Sequence, residues 1–149
     1  MNRNTVGQAR PTIAAIYAGL ALTIGATLAP YVDRATLTHH LRAGYPSYSQ
    51  AHIDSAATIY LVYLSIVGVL GIVSWLWTAH AVRVRKRWVR PAATVMFAIA
   101  VTIALTDLLI KDTSGSTGLP PLIGWAGVIP CLPGLLALAL LWRARLEEE

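Results

Sequence analysis

Asp107 is the one carboxylate inside the four long apolar stretches of this sequence, and its side chain is the first candidate for chemistry. An acidic side chain is costly in a bilayer and often marks a ligand or proton site. Ala104 and Ala100 lie three and seven residues before it, so on a helix the carboxylate would share a face of small side chains. The stretch ends three residues later, at Ile110, where a structural hydrogen-bonding acid would also be tolerated. The sequence leaves both interpretations open.

A polar cluster lies between the first two apolar stretches, over residues 33–54. It holds His39, His40 and His52, with an aspartate at each end of the range. Imidazole and carboxylate groups suit a transition metal. Adjacent histidines on a helix point about 100° apart, and no pair here has the i, i+4 spacing of two ligands on one face. The spacing favours hydrogen-bonded or interfacial histidines, so no metal ligand is predicted, and the sequence leaves any cofactor unknown.

The last apolar stretch contains two prolines and the single cysteine, in the order Pro130, Cys131, Leu132, Pro133. A proline has no N–H, so it cannot donate to the carbonyl four residues earlier, and its ring disfavours a straight helix. We therefore predict a bend or break here. Freed carbonyls at membrane depth are tolerated where they meet protein, water or a ligand, so a packing kink and a ligand site both remain open. Cys131 alone cannot form an internal disulfide, and we expect an inert small apolar side chain there.

The composition of the chain indicates which elements carry these residues. Of its 149 residues 56% are hydrophobic and only 13% are charged, too few charges to cover a water-soluble protein of this size. Four apolar stretches each reach the roughly 20 residues that a helix needs to cross a bilayer. They run over residues 11–32, 55–79, 91–110 and 119–142. We predict an all-α, integral membrane four-helix bundle that forms a single domain over residues 1–149.

The distribution of charge predicts the orientation of this bundle. Nine of the twelve basic residues lie before the first span, between spans two and three, or after span four. Since basic residues stay on the cytoplasmic side, both termini are predicted to be cytoplasmic, and nucleic-acid binding is disfavoured as the reason for the net charge of +5. Tryptophans prefer the membrane interface. Four of them fall near the predicted inner interface: Trp75, Trp77, Trp88 and Trp142.

Two links would then lie outside the cell. Within the first, Arg34–Ala43 can form a short amphipathic helix, because Leu37 and Leu41 share a face and Gly44 can end it. The second link, residues 111–118, is rich in Ser, Thr and Gly and is typical of a flexible loop. The first apolar run is longer than the core of a usual signal peptide, so we expect it to be retained.

Small side chains recur at three- and four-residue steps in three of the spans. In span one they are Ala14, Ala18, Ala21, Gly25 and Ala29. Spans two and three have similar series: Ser65, Gly68, Gly71 and Ser74 in the one, and Ala93, Ala100 and Ala104 in the other. Small faces allow close approach of helices in lipid. We expect them to pack within the bundle, with self-association as the alternative.

The residues give no nucleophile–base arrangement, so a membrane enzyme is the third choice and the chain leans towards no catalytic activity. The leading hypothesis is binding or transport of a small or lipidic ligand in the outer half of the bundle. The alternative is an accessory subunit of a larger membrane complex. Expected partners are the lipid bilayer and a homo-oligomer or larger complex, in the plasma (inner) membrane. The candidate ligand-binding residues are Asp107, Tyr60, Tyr63, His40, His52, Pro130 and Pro133.

Overall fold

The computed structural model describes residues 3–84, 86–111, 115 and 117–146, with side chains from residue 10 to residue 143 within those ranges. These ranges form six helices and no strand. The helices are α1 (Arg3–Val32), α2 (Arg34–Gly44), α3 (Gln50–Arg83), α4 (Val89–Leu109), α5 (Pro121–Val128) and α6 (Cys131–Leu146). Parts of the predicted 111–118 loop, namely 112–114 and 116, lie outside the described residues.

Four helical segments are long and apolar enough to cross a membrane, as the sequence predicts. They are Arg10–Val32, Gln50–Arg83, Val89–Leu109 and Pro121–Arg143, the last made of α5 and α6 together. The all-α prediction is confirmed for the described residues. The chain is a multi-pass membrane protein by the length and apolar character of these segments.

The second span begins earlier than its apolar stretch. Ser49 caps α3 by accepting a hydrogen bond from the backbone N–H of His52 at 3.4 Å. The helix therefore gains five residues before Ser55 and reaches 34 residues, or about 51 Å. This is longer than the roughly 30 Å hydrocarbon core of a bilayer, so α3 projects beyond it.

The projecting part of α3 is covered by α2. Asp33 caps α2: its carboxylate accepts from the backbone N–H of Thr36 at 3.2 Å and from the Thr36 hydroxyl at 2.6 Å. These two hydrogen bonds hold the pKa of Asp33 below its usual value. Leu37 and Leu41 point from α2 into an apolar cluster, as the amphipathic pattern predicts. The other buried members of this cluster are Ile53, Ala57, Leu61 and Leu119.

Around the bundle the order of helices is α3, α1, α6, α4. Helix α1 packs against α3 on one side and α6 on the other, while α4 packs mainly against α5 and α6. Contact between α3 and α4 is much smaller. We call the end of the bundle with α2, Ile110 and residues 117–120 the α2 end, and the opposite end, with Val84 and residues 86–88, the basic-link end.

Close approach of α1 and α3 depends on glycine. A Cβ atom on Gly68 would overlap the side chain of Thr27, and one on Gly71 would lie 3.0 Å from the methyl carbon of Thr23. Both glycines belong to the small-residue series predicted for span two. Without their Cβ atoms, the two threonines can lie directly on the backbone of α3.

The small-residue series of span one does not pack within the bundle, and the expectation that it would is wrong. All five of its members are exposed: Ala14, Ala18, Ala21, Gly25 and Ala29. Helix α1 turns a different face inward, which includes Thr12, Ile16, Gly19 and Thr23. The physical reason is Trp75: its indole ring lies where a Cβ atom on Gly19 would be, and its N–H donates to the Thr23 hydroxyl at 2.9 Å.

The fourth span is broken at the prolines, as predicted. Helix α5 ends at Val128 and α6 begins at Cys131. The carbonyl of Ile129, which Pro133 cannot satisfy, accepts instead from the N–H of Leu132 at 3.1 Å. A hydrogen bond between residues three apart thus replaces one between residues four apart, and the regular α-helix is interrupted here.

Candidate functional site

An elongated cavity lies between α1, α3, α4 and the broken fourth span. Its volume is about 410 Å³. Along α4 its lining extends from Ala93 to Asp107, a rise of about 21 Å for fourteen residues. The small-residue face of α4, Ala93, Ala100 and Ala104, lines this cavity. The space exists because these alanines do not fill the gap between helices.

The cavity opens sideways, between α3 and α4. Leu70 of α3 and Ile99 of α4 both belong to its lining, yet 60% and 55% of their surfaces are exposed. Helices α3 and α4 make little contact along their length. Between the two ends of the gap, no described residue closes the cavity on the side where α3 and α4 face each other. In a bilayer the opening would face hydrocarbon chains.

At the α2 end, a polar pair bridges the opening. The hydroxyl of Tyr63 on α3 donates to Oδ1 of Asp107 on α4 at 2.8 Å. Asp107 itself lines the cavity. Its second oxygen, Oδ2, has no hydrogen-bond partner among the described residues, and no described basic side chain pairs with the carboxylate.

At the basic-link end, aromatic and basic side chains hold the helices together. The rings of Trp77 and Trp88 lie 4.8 Å apart between centroids. The indole N–H of Trp142 donates to the hydroxyl of Thr94 at 3.2 Å. Arg90 donates from Nε to the carbonyl of Leu141, a lining residue, at 3.0 Å. The sideways opening is therefore bounded at both ends.

Four hydroxyl groups line the cavity, and each donates to a carbonyl of its own helix. Thr23 donates to Gly19, Thr27 to Thr23, Ser74 to Leu70 and Thr78 to Ser74, at distances of 2.7–2.8 Å. Their hydrogens are thus already used, and most of the wall is hydrocarbon and aromatic. Asp107 is the one acidic or basic side chain among the described residues that line the cavity.

The middle of the cavity is shaped by Phe97, Trp75 and Gly134. A Cβ atom on Gly134 would lie 2.9 Å from Cε2 of Phe97 and 3.4 Å from Cη2 of Trp75. Glycine at the start of α6 therefore lets both rings lie against its backbone. Cys131, one turn earlier, also lines the cavity.

Only some of the predicted ligand-binding residues meet at this site. Asp107 and Pro130 line the cavity, and Tyr63 touches it through Asp107. Pro133 shapes the helix break but is not part of the lining. Tyr60 packs against the apolar cluster under α2.

The predicted histidines lie away from the cavity. His40 contacts the backbone carbonyl of Thr117 through Nε2 at 2.7 Å, which ties α2 to the link that follows α4. The ring of His52 lies 5.6 Å from that of Tyr48, between centroids. Among the described residues, no three His, Cys, Asp or Glu side chains are grouped closely enough to share a metal ion.

Sequence reasoning missed the aromatic part of the site. Trp75 was expected near the membrane interface, and its packing between α1 and α3, on the wall of the cavity, was not predicted. Phe97, the single phenylalanine, was not singled out at all. The glycines that these rings contact, Gly19 and Gly134, could have indicated the packing. An aromatic ring can lie directly against a helix backbone only where the helix has a residue without a Cβ atom.

No protein-family model, no curated protein and no solved structure matches this chain. Function therefore has to be inferred from the cavity and the residues around it.

Proposed function

We propose that this membrane protein binds a small or lipidic ligand in the cavity between α1, α3, α4 and the broken fourth span. The observation that carries the proposal is the cavity itself. Its volume of about 410 Å³ falls within the roughly 300–1,000 Å³ of small-molecule sites. Its wall combines a mainly apolar surface with a small number of polar groups, among them the Asp107 carboxylate, which is the usual composition of such sites.

Packing supports the same proposal. Protein interiors leave few voids larger than a water molecule, and helices in lipid are held together by packing contacts. An elongated void along most of α4 gives up those contacts unless an apolar molecule restores them. The site that we propose extends beyond the outer half of the bundle, because the lining continues to Thr78 and Leu141 near the basic-link end.

We place the α2 end outside the cell, with both termini cytoplasmic, in the plasma (inner) membrane. The support is the concentration of basic residues near the basic-link end and the termini. In this orientation Asp107 would lie near the outer headgroups. Transport would require that a ligand bound here also leave towards the other side, and binding is the step that the cavity supports.

The proposal is tested by filling the cavity. Ala100→Phe places a ring in the lining of α4, whereas Ala98→Phe adds the same ring to the exposed side of that helix. We expect native mass spectrometry from mild detergent to detect a bound apolar molecule on the unmodified protein and on Ala98→Phe, but not on Ala100→Phe. Identical bound molecules on all three proteins would contradict the proposal.

An accessory-subunit role is the second candidate, and the exposed small-residue face of α1 favours it. A Cβ atom on Gly25 would meet nothing within 4 Å, so this face is free to receive another helix. Ala18→Cys in a Cys131→Ser background tests the symmetric case, since oxidative cross-linking in membranes would give a covalent dimer. Ala139→Cys, on the exposed side of α6, is the control position.

A further inference from the structure

The carboxylate of Asp107 lacks a complete set of partners for a charged group in a membrane. Tyr63 supplies one hydrogen bond to Oδ1, and Oδ2 has none within the described residues. A carboxylate at the edge of the hydrocarbon layer is unfavourable unless water, a cation or further donors compensate it. The hydroxyls and the Trp75 N–H in the lining cannot help, because their hydrogens are bonded elsewhere. A ligand that brings its own positive N–H group would complete the site.

The shape of the cavity restricts the rest of such a ligand. Its lining follows α4 for about 21 Å, and Asp107 lies at one end of this length, two residues (about 3 Å) before the end of the helix. A positive group on Asp107 would therefore stay near the headgroup level, while an apolar chain would extend along the cavity. This is the orientation that an amphiphile already has in a bilayer.

The route of entry follows from the opening between α3 and α4. Leu70 and Ile99 at its rim are exposed to lipid, so a molecule already dissolved in the bilayer can move in sideways. Its charged end can stay in the headgroup layer while its apolar chain enters the cavity. A water-soluble amine without a chain would gain little from the same wall, because the apolar contacts make up most of the site.

We propose that the ligand of this cavity is a long-chain aliphatic amine that enters sideways from the bilayer, with its protonated nitrogen on Oδ2 of Asp107 and its chain along α4. This inference rests on the proposed function and names the ligand class of the same site. A neutral long-chain alcohol and a short, water-soluble amine are the alternatives that the experiment must separate.

The chain contains a natural reporter for occupancy. Cys131 is its single cysteine, and the thiol lines the cavity. We would measure the rate of Cys131 alkylation by N-ethylmaleimide in the full-length protein in phosphatidylcholine nanodiscs. The three probes are N,N-dimethyldodecylamine, dodecanol and trimethylamine, and the amines are tertiary so that they do not consume the maleimide.

At ten times its half-saturating level, N,N-dimethyldodecylamine should slow alkylation about tenfold. Dodecanol at the same mole fraction and trimethylamine in the aqueous phase should have little effect. Asp107→Asn keeps the acceptor for Tyr63 but removes the charge, so the amine should no longer protect. Tyr63→Phe keeps the charge, and protection should remain, which separates a loss of the carboxylate from a general loss of structure.

The position control is Leu132→Cys in a Cys131→Ser background, because Leu132 is 69% exposed on the lipid side of α6. Its alkylation should not change with any probe. Equal protection of Cys131 by dodecanol, or by the amine in Asp107→Asn, would overturn the amine assignment and leave the proposed function standing. Protection by trimethylamine would overturn entry from the bilayer. No protection by either long-chain probe, in protein from which the bound molecule has first been removed, would overturn both proposals.

Discussion

Tyr63 and Asp107 join α3 to α4 by a hydrogen bond of 2.8 Å at the end of the gap between these two helices. The two residues are 44 positions apart, and the bond connects neighbours in the bundle that otherwise touch little. Its strength therefore decides how firmly the sideways opening is bounded at the α2 end.

We expect Tyr63→Phe and Asp107→Ala, each of which removes the hydrogen bond, to be energetically coupled. Interhelical hydrogen bonds in membrane proteins contribute about 0.6 kcal/mol on average and up to about 1.7 kcal/mol, so the coupling should fall in that range. A double-mutant cycle on the free energy of unfolding measures it. Tyr48→Phe, which removes an exposed hydroxyl in the link before α3, is the control and should cost little. A coupling of zero would mean that the bond contributes nothing to the bundle.

Glycine packing between α1 and α3 gives a second prediction. Gly68→Ala should lower the free energy of unfolding by about 1–3 kcal/mol, because the added Cβ atom overlaps Thr27. Gly25→Ala is the matched control: its Cβ atom meets nothing within 4 Å, and alanine is the better helix former by up to about 1 kcal/mol. Unfolding of both variants in mixed micelles should therefore shift in opposite directions. Equal shifts would contradict the close approach at Gly68.

The cap of α2 makes a prediction about pH. Hydrogen bonds from Thr36 lower the pKa of Asp33 in the folded protein below the ordinary value of 3.8. A lowered pKa in the folded state means that the cap stabilises the protein fully above the unfolded pKa and loses this contribution as pH falls through the folded pKa. Asp33→Asn keeps an acceptor but cannot titrate.

Thermal unfolding from neutral pH down to about pH 3 would measure this effect, since the contribution begins to be lost as pH falls below the pKa of the unfolded chain. We expect the midpoint of the unmodified protein to fall more steeply in the acid range than that of Asp33→Asn. Other carboxylates titrate in both proteins, so only the difference between the two curves reports the cap. Parallel curves would show that Asp33 does not couple folding to pH.

The proposed orientation predicts which positions an impermeant thiol reagent can reach. In a Cys131→Ser background, His39→Cys and Lys111→Cys should react from outside intact cells. Lys86→Cys, in the link between α3 and α4, should react only after the membrane is opened. His39 is chosen because it is exposed, whereas His40 is engaged with Thr117. Labelling of position 86 in intact cells would reverse the orientation.

Elements with a local cause could be predicted from the sequence. The spans follow from apolar length, α2 follows from Leu37 and Leu41, and the break in the fourth span follows from two residues without an N–H. Each of these depends on residues within a few positions of one another.

The cavity could not be predicted, because it depends on which faces of distant helices meet. Helix α1 has two faces of small or short side chains, and periodicity does not choose between them. The choice is made by Trp75, whose ring lies on Gly19 and whose N–H bonds Thr23, 52 positions earlier. Similarly, the partner of His40 is the carbonyl of Thr117, 77 positions away. The sequence identifies Asp107 as a candidate because it is a carboxylate within a span. Its hydrogen bond to Tyr63 and its position on the cavity wall are visible only in the structure.

The length of α3 has a consequence for how deep the protein lies in membranes of different thickness. A helix of about 51 Å does not fix the depth of the protein, because the hydrocarbon layer can surround different parts of its length. Helix α2 covers the apolar side of the part that projects. The 21-residue α4, about 32 Å long, has no such reserve and has to match the hydrocarbon layer. The vertical register of the protein is therefore governed by α4. Thickening or thinning of the bilayer would tilt α4 and keep Asp107 at the headgroup boundary, and because Tyr63 ties α3 to Asp107, only the length of α3 that projects from the bilayer would change.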